Sequence, residues 1–258
     1  MIYYGKIKMK IVATIEARMN SSRLPGKILM DIGGIKSLEC QIRRMQRSRY
    51  IDEIIIATTI NASDDIVVDF ARSLDVNVYR GSESDVMSRI LEAAIFCNGD
   101  VQVQTTGDCP FIDPVIIDEV VKYYLDSDTE YDFVSNEIER SYPIGLDCRV
   151  FSVSSLKLAN SICQDPIHRI HGSTFISNGE GVNIFSSKNL VAPKELSFPN
   201  YRWTLDEIDD LKFLKRVAGN FGKDIVKTSA YEIMNWLHKH PNVVNINSNV
   251  QQKNIDEG

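Results

Sequence analysis

Apolar runs of strand length alternate with helical patterns of about 10 to 15 residues through the first half of the chain, which predicts an α/β fold on a mixed, mostly parallel sheet. Two further features support that class. The run IVATI at 11–15 lacks the polar alternation of a strand with one wet face, so it reads as a strand buried on both sides. Between 126 and 200 the alternation is lost, as an insertion into such a fold would lose it, and near the end YRWTLD at 201–206 returns to a strand followed by helices.

The elements follow in order. Leu38, Ile42 and Met45 recur at helical spacing and predict a helix over 37–47, and EIIIAT at 53–58 is a second strand. A helix at 63–74, a strand at 76–79, a helix at 83–97 and a strand at 101–105 complete the regular half. Right-handed crossovers put the loops at the strands' carboxyl ends on one face of such a sheet. Asp113 before Pro114 is an N-cap, hence structural, for a helix over 114–125. In the irregular middle, strand-like pieces at 133–135, 146–151 and 182–186 flank a helical region from 152 to about 177. After 201–206 come helices at 207–220 and 229–240, the second opened by a Ser229/Glu232 capping box. Asp209 and Asp210 favour the start of the first of these through its dipole. From 247 onward the chain is polar and reads as a frayed, flexible tail.

Composition narrows the function classes. With 258 residues, 43% hydrophobic and 25% charged, the chain suits one large domain with a good core. No apolar segment approaches the roughly 20 residues of a membrane span, and the N-terminus lacks a signal-peptide pattern. The five cysteines are odd in number, scattered and without Cys-x-x-Cys spacing, which argues against a disulfide framework or structural zinc and fits a reducing cytoplasm. A net charge of -6 disfavours nucleic acid as a partner.

One local exception to that acidity is ARMNSSRLPGK at 17–27, directly after the first strand. Arg18 and Arg23 can fork onto phosphate oxygens, Lys27 is a point charge in an exposed loop, and Gly26 permits a close backbone approach. The alternative is a solvated basic loop. A Walker A loop is excluded, because Ser21 stands at its first glycine and Ile28 follows the lysine. Asp108 and Asp206 each follow an apolar extended segment; they are either two unrelated caps or, if the fold joins them, hard oxygen ligands suited to Mg2+.

IVATIEARMNSSRLPGKIL resembles the opening of the CMP-sugar synthetase-like cytidylyltransferases, above all the spore coat polysaccharide branch, with 3-deoxy-manno-octulosonate cytidylyltransferase a more distant relative. The likeness continues through DEIIIATTINASDD, VNVYRGSESDVMSR, TTGDCPFIDP, YPIGLDCRVF and RWTLDEIDDL, covering about residues 9 to 215. It implies a three-layer, Rossmann-like fold of the nucleotide-diphospho-sugar transferase type, with a small insertion for dimerisation and acceptor binding. The single domain then divides into a nucleotide-binding half at about 9–125, an acceptor and dimer region at 126–200, a return to the core at 201–246 and the tail at 247–258.

The resemblance also implies roles. Arg18, Arg23 and Lys27 are the expected catalytic cations. Ala17, Ser22, Arg80, Ser82, Asp85 and Thr106 join them around the nucleotide, though Ser82 reads equally as a cap of the helix that follows. Asp108 and Asp206 are the expected Mg2+ ligands, and Asp147, Arg169 and His171 the acceptor contacts, with a helical His such as His171 also readable as a surface residue. Here the chain departs from the family: Ile170 replaces a usual Glu, GST at 172–174 replaces a Val-Thr-Pro-like stretch, and Ile144 stands where an acid often precedes Gly145. The expected reaction is transfer of CMP from CTP to an acidic or activated sugar by a cytoplasmic homodimer, for a surface polysaccharide. Its rivals are a metal-dependent glycosyltransferase, for which the Asp-x-Asp at 126–128 is the only candidate, and a non-catalytic nucleotide-binding protein.

Overall fold

In the computed structural model, which describes residues 2–4 and 7–253 with side chains from Met9 onward, the sheet is built around β3 (Ile11–Glu16). Ahead of it, β1 (Ile2–Tyr4) and β2 (Ile7–Met9) pair antiparallel with each other. The main sheet adds β4 (Glu53–Thr59), β5 (Asn77–Gly81), β6 (Val101–Thr106), β7 (Phe133–Ser135), β8 (Arg149–Ser152) and β9 (Ser187–Asn189). Their order is β5-β4-β3-β6-β8-β7-β9, and β8 alone of these runs against the others.

Both faces of β3 are covered, which is why its sequence is continuously apolar. Ile11, Ala13 and Ile15 pack with α1 (Ser37–Met45), α2 (Asp65–Ser73) and α4 (Pro114–Asp126). Val12 faces the other way, toward α3 (Val86–Phe96) and α5 (Val153–Ile162). Three layers result. A further core joins Trp203 and Leu205 to α8 (Ile208–Phe221) and α9 (Ala230–His238), with α10 (Pro241–Val244) beside them.

Strand order sets where a ligand can enter. From β3 the chain steps outward to β4 and β5, then crosses back to place β6 on the other flank of β3. The loops after β3 and β6 therefore diverge, and the crevice between them is the usual ligand position in an open α/β sheet.

Several expectations need correction. Residues 201–206 form no strand: every one from Arg202 to Asp206 is buried, and the segment bonds to loops instead, with Trp203 N donating to Ile144 O at 2.7 Å and Leu205 N to Asp108 O at 2.8 Å. The helical region at 152–177 is three pieces, α5, α6 (Pro166–Ile170) and α7 (Thr174–Ser177), divided where Asp165 caps α6 by accepting Ile167 N and where Gly172 takes a φ of 66°. Residues 179–183 make a 3-10 turn, and the strand follows as β9. The tail is anchored: Asn247, 3% exposed, donates to Arg202 O and to Asp210 Oδ1, both at 2.9 Å. The frayed end expected beyond 253 lies outside the described residues. All five cysteines are buried and free, and among the described residues no helix is long and apolar enough to cross a membrane.

Candidate active site

The loop after β3 is held in shape from both ends. Asp64, 1% exposed, accepts Met19 N at 2.7 Å and the Thr59 hydroxyl at 2.5 Å, which pins the residue next to Arg18. Gly26 N then donates to Met19 O at 2.8 Å, closing the loop, and its φ of 73° is the left-handed conformation that favours glycine. A 3-10 turn, Lys27–Leu29, starts there and aims Lys27 into the crevice.

Across the crevice, Gly107 lets the loop after β6 touch the end of β3: its N–H donates to Glu16 O at 2.8 Å, and a Cβ would stand only 2.8 Å from that same oxygen. Asp108 follows and receives the Thr106 hydroxyl at 2.6 Å. Asp206 arrives on the segment before α8. Lys27 Nζ donates to Asp108 Oδ2 at 2.7 Å and to Asp206 Oδ1 at 2.8 Å. Arg23 Nη2 reaches Asp206 Oδ1 at 2.9 Å, and buried Arg202 holds Asp206 Oδ2 at 3.0 Å while also pairing with Asp210. The two carboxylates predicted as partners do meet.

Far from being exposed, the Lys27 side chain is 12% accessible. Burial pulls its pKa down, but the charges and hydrogen bonds of Asp108 and Asp206 outweigh that and hold the ammonium above its ordinary value. Burial pushes Asp108 up, and Lys27, aided by Thr106, brings it below the usual carboxylate range. Lys27 and Asp108 are therefore both charged near neutral pH.

They form one wall of a cleft of about 580 Å³ that also takes in Ala17, Arg18, Ser22, Thr106, Asp147 and His171. Its far half carries ion pairs that sequence reasoning missed. Arg140 meets Asp147 at 2.7 Å, Arg149 pairs with Glu137, and buried Arg89 and Gln104 complete the wall with Glu16. Burial raises the Asp147 pKa, and Arg140 only partly opposes it. A signal for Arg149 existed in its place on a strand, but no spacing marked Arg140.

Other expected contacts stand outside this cleft. Arg80 spends its donors on Asp65 Oδ1 at 2.6 Å and on the carbonyls of Thr59 and Asn61, tying loop to sheet edge. Asp85 caps α3 through Ser88 N and pairs with Arg169 at 2.5 Å, so these two lock α6 to α3. Ser82 accepts Asp85 N at 3.0 Å in the turn ahead of the helix, whose cap is Asp85 and not Ser82, and it lines a more open cleft beside Arg18 and Glu83. Asp126, of the Asp-x-Asp, ends α4 and faces Lys122 at 3.9 Å, away from the site.

The donor chemistry fits a divalent ion brought by a phosphate ligand. Asp108 and Asp206 converge on a single cation already, and Mg2+ takes one or two carboxylates beside waters and substrate phosphates. Among the described residues no group of three or more His, Cys, Asp or Glu offers a site made of protein alone.

Comparison with known proteins agrees with this geometry. The chain is 36% identical to an uncharacterized protein of Methanocaldococcus jannaschii, over 96% of this chain and 99% of that one. It is 28% identical to the spore coat polysaccharide biosynthesis protein SpsF of Bacillus subtilis, over 90% and 95%. A cytidylyltransferase from Leptospira borgpetersenii superimposes with a TM-score of 0.85 at 31% identity, covering 96% of this chain and all of that one. The fold is shared with a CMP:2-keto-3-deoxy-manno-octonic acid synthetase complexed with CTP, at a TM-score of 0.60 and 15% identity over 82% and 99%. The cytidylyltransferase family matches residues 12–162, more than half of the chain, and this protein belongs to that family of nucleotidyltransferases.

Proposed function

We propose that this protein transfers CMP from CTP to a hydroxyl of a sugar or sugar acid, releasing pyrophosphate, and so makes a CMP-sugar for a surface polysaccharide in the cytoplasm. The observation that carries this reading is the convergence of Lys27 and Arg23 with Asp108 and Asp206 at the switch point between β3 and β6, beside a second charged half-cleft. The Leptospira cytidylyltransferase, the SpsF relative and the CTP-bound synthetase support it.

In this mechanism Arg18 and Arg23 fork onto phosphate oxygens, and Lys27 adds a compact charge where negative charge grows on the leaving pyrophosphate. Asp108 and Asp206 are the residues that would hold Mg2+, which when bound would supply neutralisation of phosphate charge. Asp147, Arg140, Arg149 and His171 orient the acceptor from the far half, which brings its hydroxyl to the phosphorus in near-attack geometry. The bond formed joins that oxygen to the α-phosphorus, the bond broken is from the α-phosphorus to the oxygen that bridges it to the β-phosphorus and leaves with pyrophosphate, and the hydroxyl proton is released to solvent.

Pyrophosphate release with CTP, UTP, GTP and ATP, each against a panel of sugar acids, sugars and sugar phosphates, tests the reading. CTP with one acceptor class should turn over. Release that is independent of acceptor, or faster with another triphosphate, would count against it.

A further inference from the structure

Lys27 occupies the point at which Asp108 and Asp206 converge, with Nζ at hydrogen-bond distance from both. A divalent ion on those same oxygens sits about 2.1 Å from each. That is inside the space the ammonium fills, and beside a like charge. The two cations exclude one another. Nor are the carboxylates in want of charge: Arg23 lies on the shared oxygen of Asp206 and Arg202 on the other. Three cations, Lys27, Arg23 and Arg202, thus face Asp108, Asp206 and Asp210, with Glu207 3.5 Å from Arg23, so both oxygens of Asp206 and one of Asp108 are paired with protein cations before any metal arrives.

A triphosphate changes that pairing by offering the cations a stronger partner. Arg23 and Arg202 are restrained by further bonds, to Gln251 O and to Gln252 Oε1. Among the described residues the Lys27 ammonium bonds only to the two carboxylates, and its four-carbon stem can swing while the Gly26 turn behind it stays closed.

We propose that Lys27 is the resident cation of the Asp108–Asp206 pair, keeping a divalent ion out until a nucleoside triphosphate draws its ammonium away, so that metal enters only with the nucleotide. This rests on reading the cleft as a triphosphate site. Linkage makes the effect reciprocal: what nucleotide does for metal affinity, metal does for nucleotide affinity.

Loss of the free Mn2+ paramagnetic resonance signal, titrated against the full chain without nucleotide, provides the test. The wild type should bind Mn2+ weakly, Lys27→Met about tenfold more tightly or better, within the usual range of such couplings. Adding Asp206→Asn to Lys27→Met should abolish the gain. Thermal melting confirms that each variant is folded, and Lys27→Gln, which keeps polar contacts while removing the charge, serves if the methionine variant is unstable. Equal Mn2+ affinity of the wild type and both Lys27 variants, or wild-type affinity that nucleotide does not improve, overturns the proposal. Because no turnover is read, this outcome is independent of the pyrophosphate screen.

Discussion

Each oxygen of Asp206 has its own cations, Lys27 and Arg23 on Oδ1 and Arg202 on Oδ2, whereas Asp108 shares only Lys27 with it. Two carboxylates that serve one ion should act as a unit. Asp108→Asn and Asp206→Asn are therefore each expected to cost about two orders of magnitude or more in turnover, and the double variant little beyond either single one. Rates at saturating Mg2+, repeated with Mn2+, check this; losses that multiply would mean the two do not share an ion. Asp206→Asn should also melt lower than Asp108→Asn, since it weakens the hold on a buried guanidinium.

Among elements, the loop after β3 depends on a residue outside it. Asp64 pairs with no cation among the described residues and spends both oxygens on Met19 N and on Thr59. Asp64→Ala should cost about 2 kcal/mol or more from lost hydrogen bonds to a buried carboxylate. In a chain of this size that corresponds to a fall in Tm of roughly 4–8 °C. The CTP KM should rise more than kcat falls, because the variant loosens Arg18 and Arg23 without touching Asp108. Calorimetric melting and steady-state kinetics distinguish this from a uniform loss of activity. The same loop shows what could be read from the sequence. Its chemistry, and the buried strand before it, were visible as local composition, and so was the alternation that builds β3 to β6. Asp64 was not, since a carboxylate among acids in NASDD looks no different from its exposed neighbour Asp65. Arg80, Asp85 and Arg169 carried the right chemistry yet found partners within the scaffold, an outcome decided by which groups the packing leaves in reach. The segment at 201–206 had the composition of a strand, but its hydrogen bonds went to loops, and no local pattern separates the two.

For the molecule as a whole, α5, α6 and the turn after α7 expose Leu158, Ile162, Ile167, Ile170, Val182 and Ile184 in one part of the chain. Exposed apolar side chains of this kind are candidates for burial against a second copy of the chain. We expect a homodimer with a two-fold axis through about residues 140–180. Light scattering at micromolar concentration should give twice the mass of one chain, and Leu158→Glu combined with Ile162→Glu should halve it; a wild-type monomer rules the interface out. A different consequence follows from the anchored tail. Arg23 and Arg202, far apart in the chain, both grip Asp206, and Arg23 donates to Gln251 O while Arg202 donates to Gln252 Oε1. During synthesis the loop of Arg23 leaves the ribosome well before Asp206 and residues 251 and 252. Until they follow, Lys27 lacks one of its two carboxylates and Arg23 lacks Asp206, so the cluster of paired charges closes only after the whole of the segment from β3 to the anchored tail has been made.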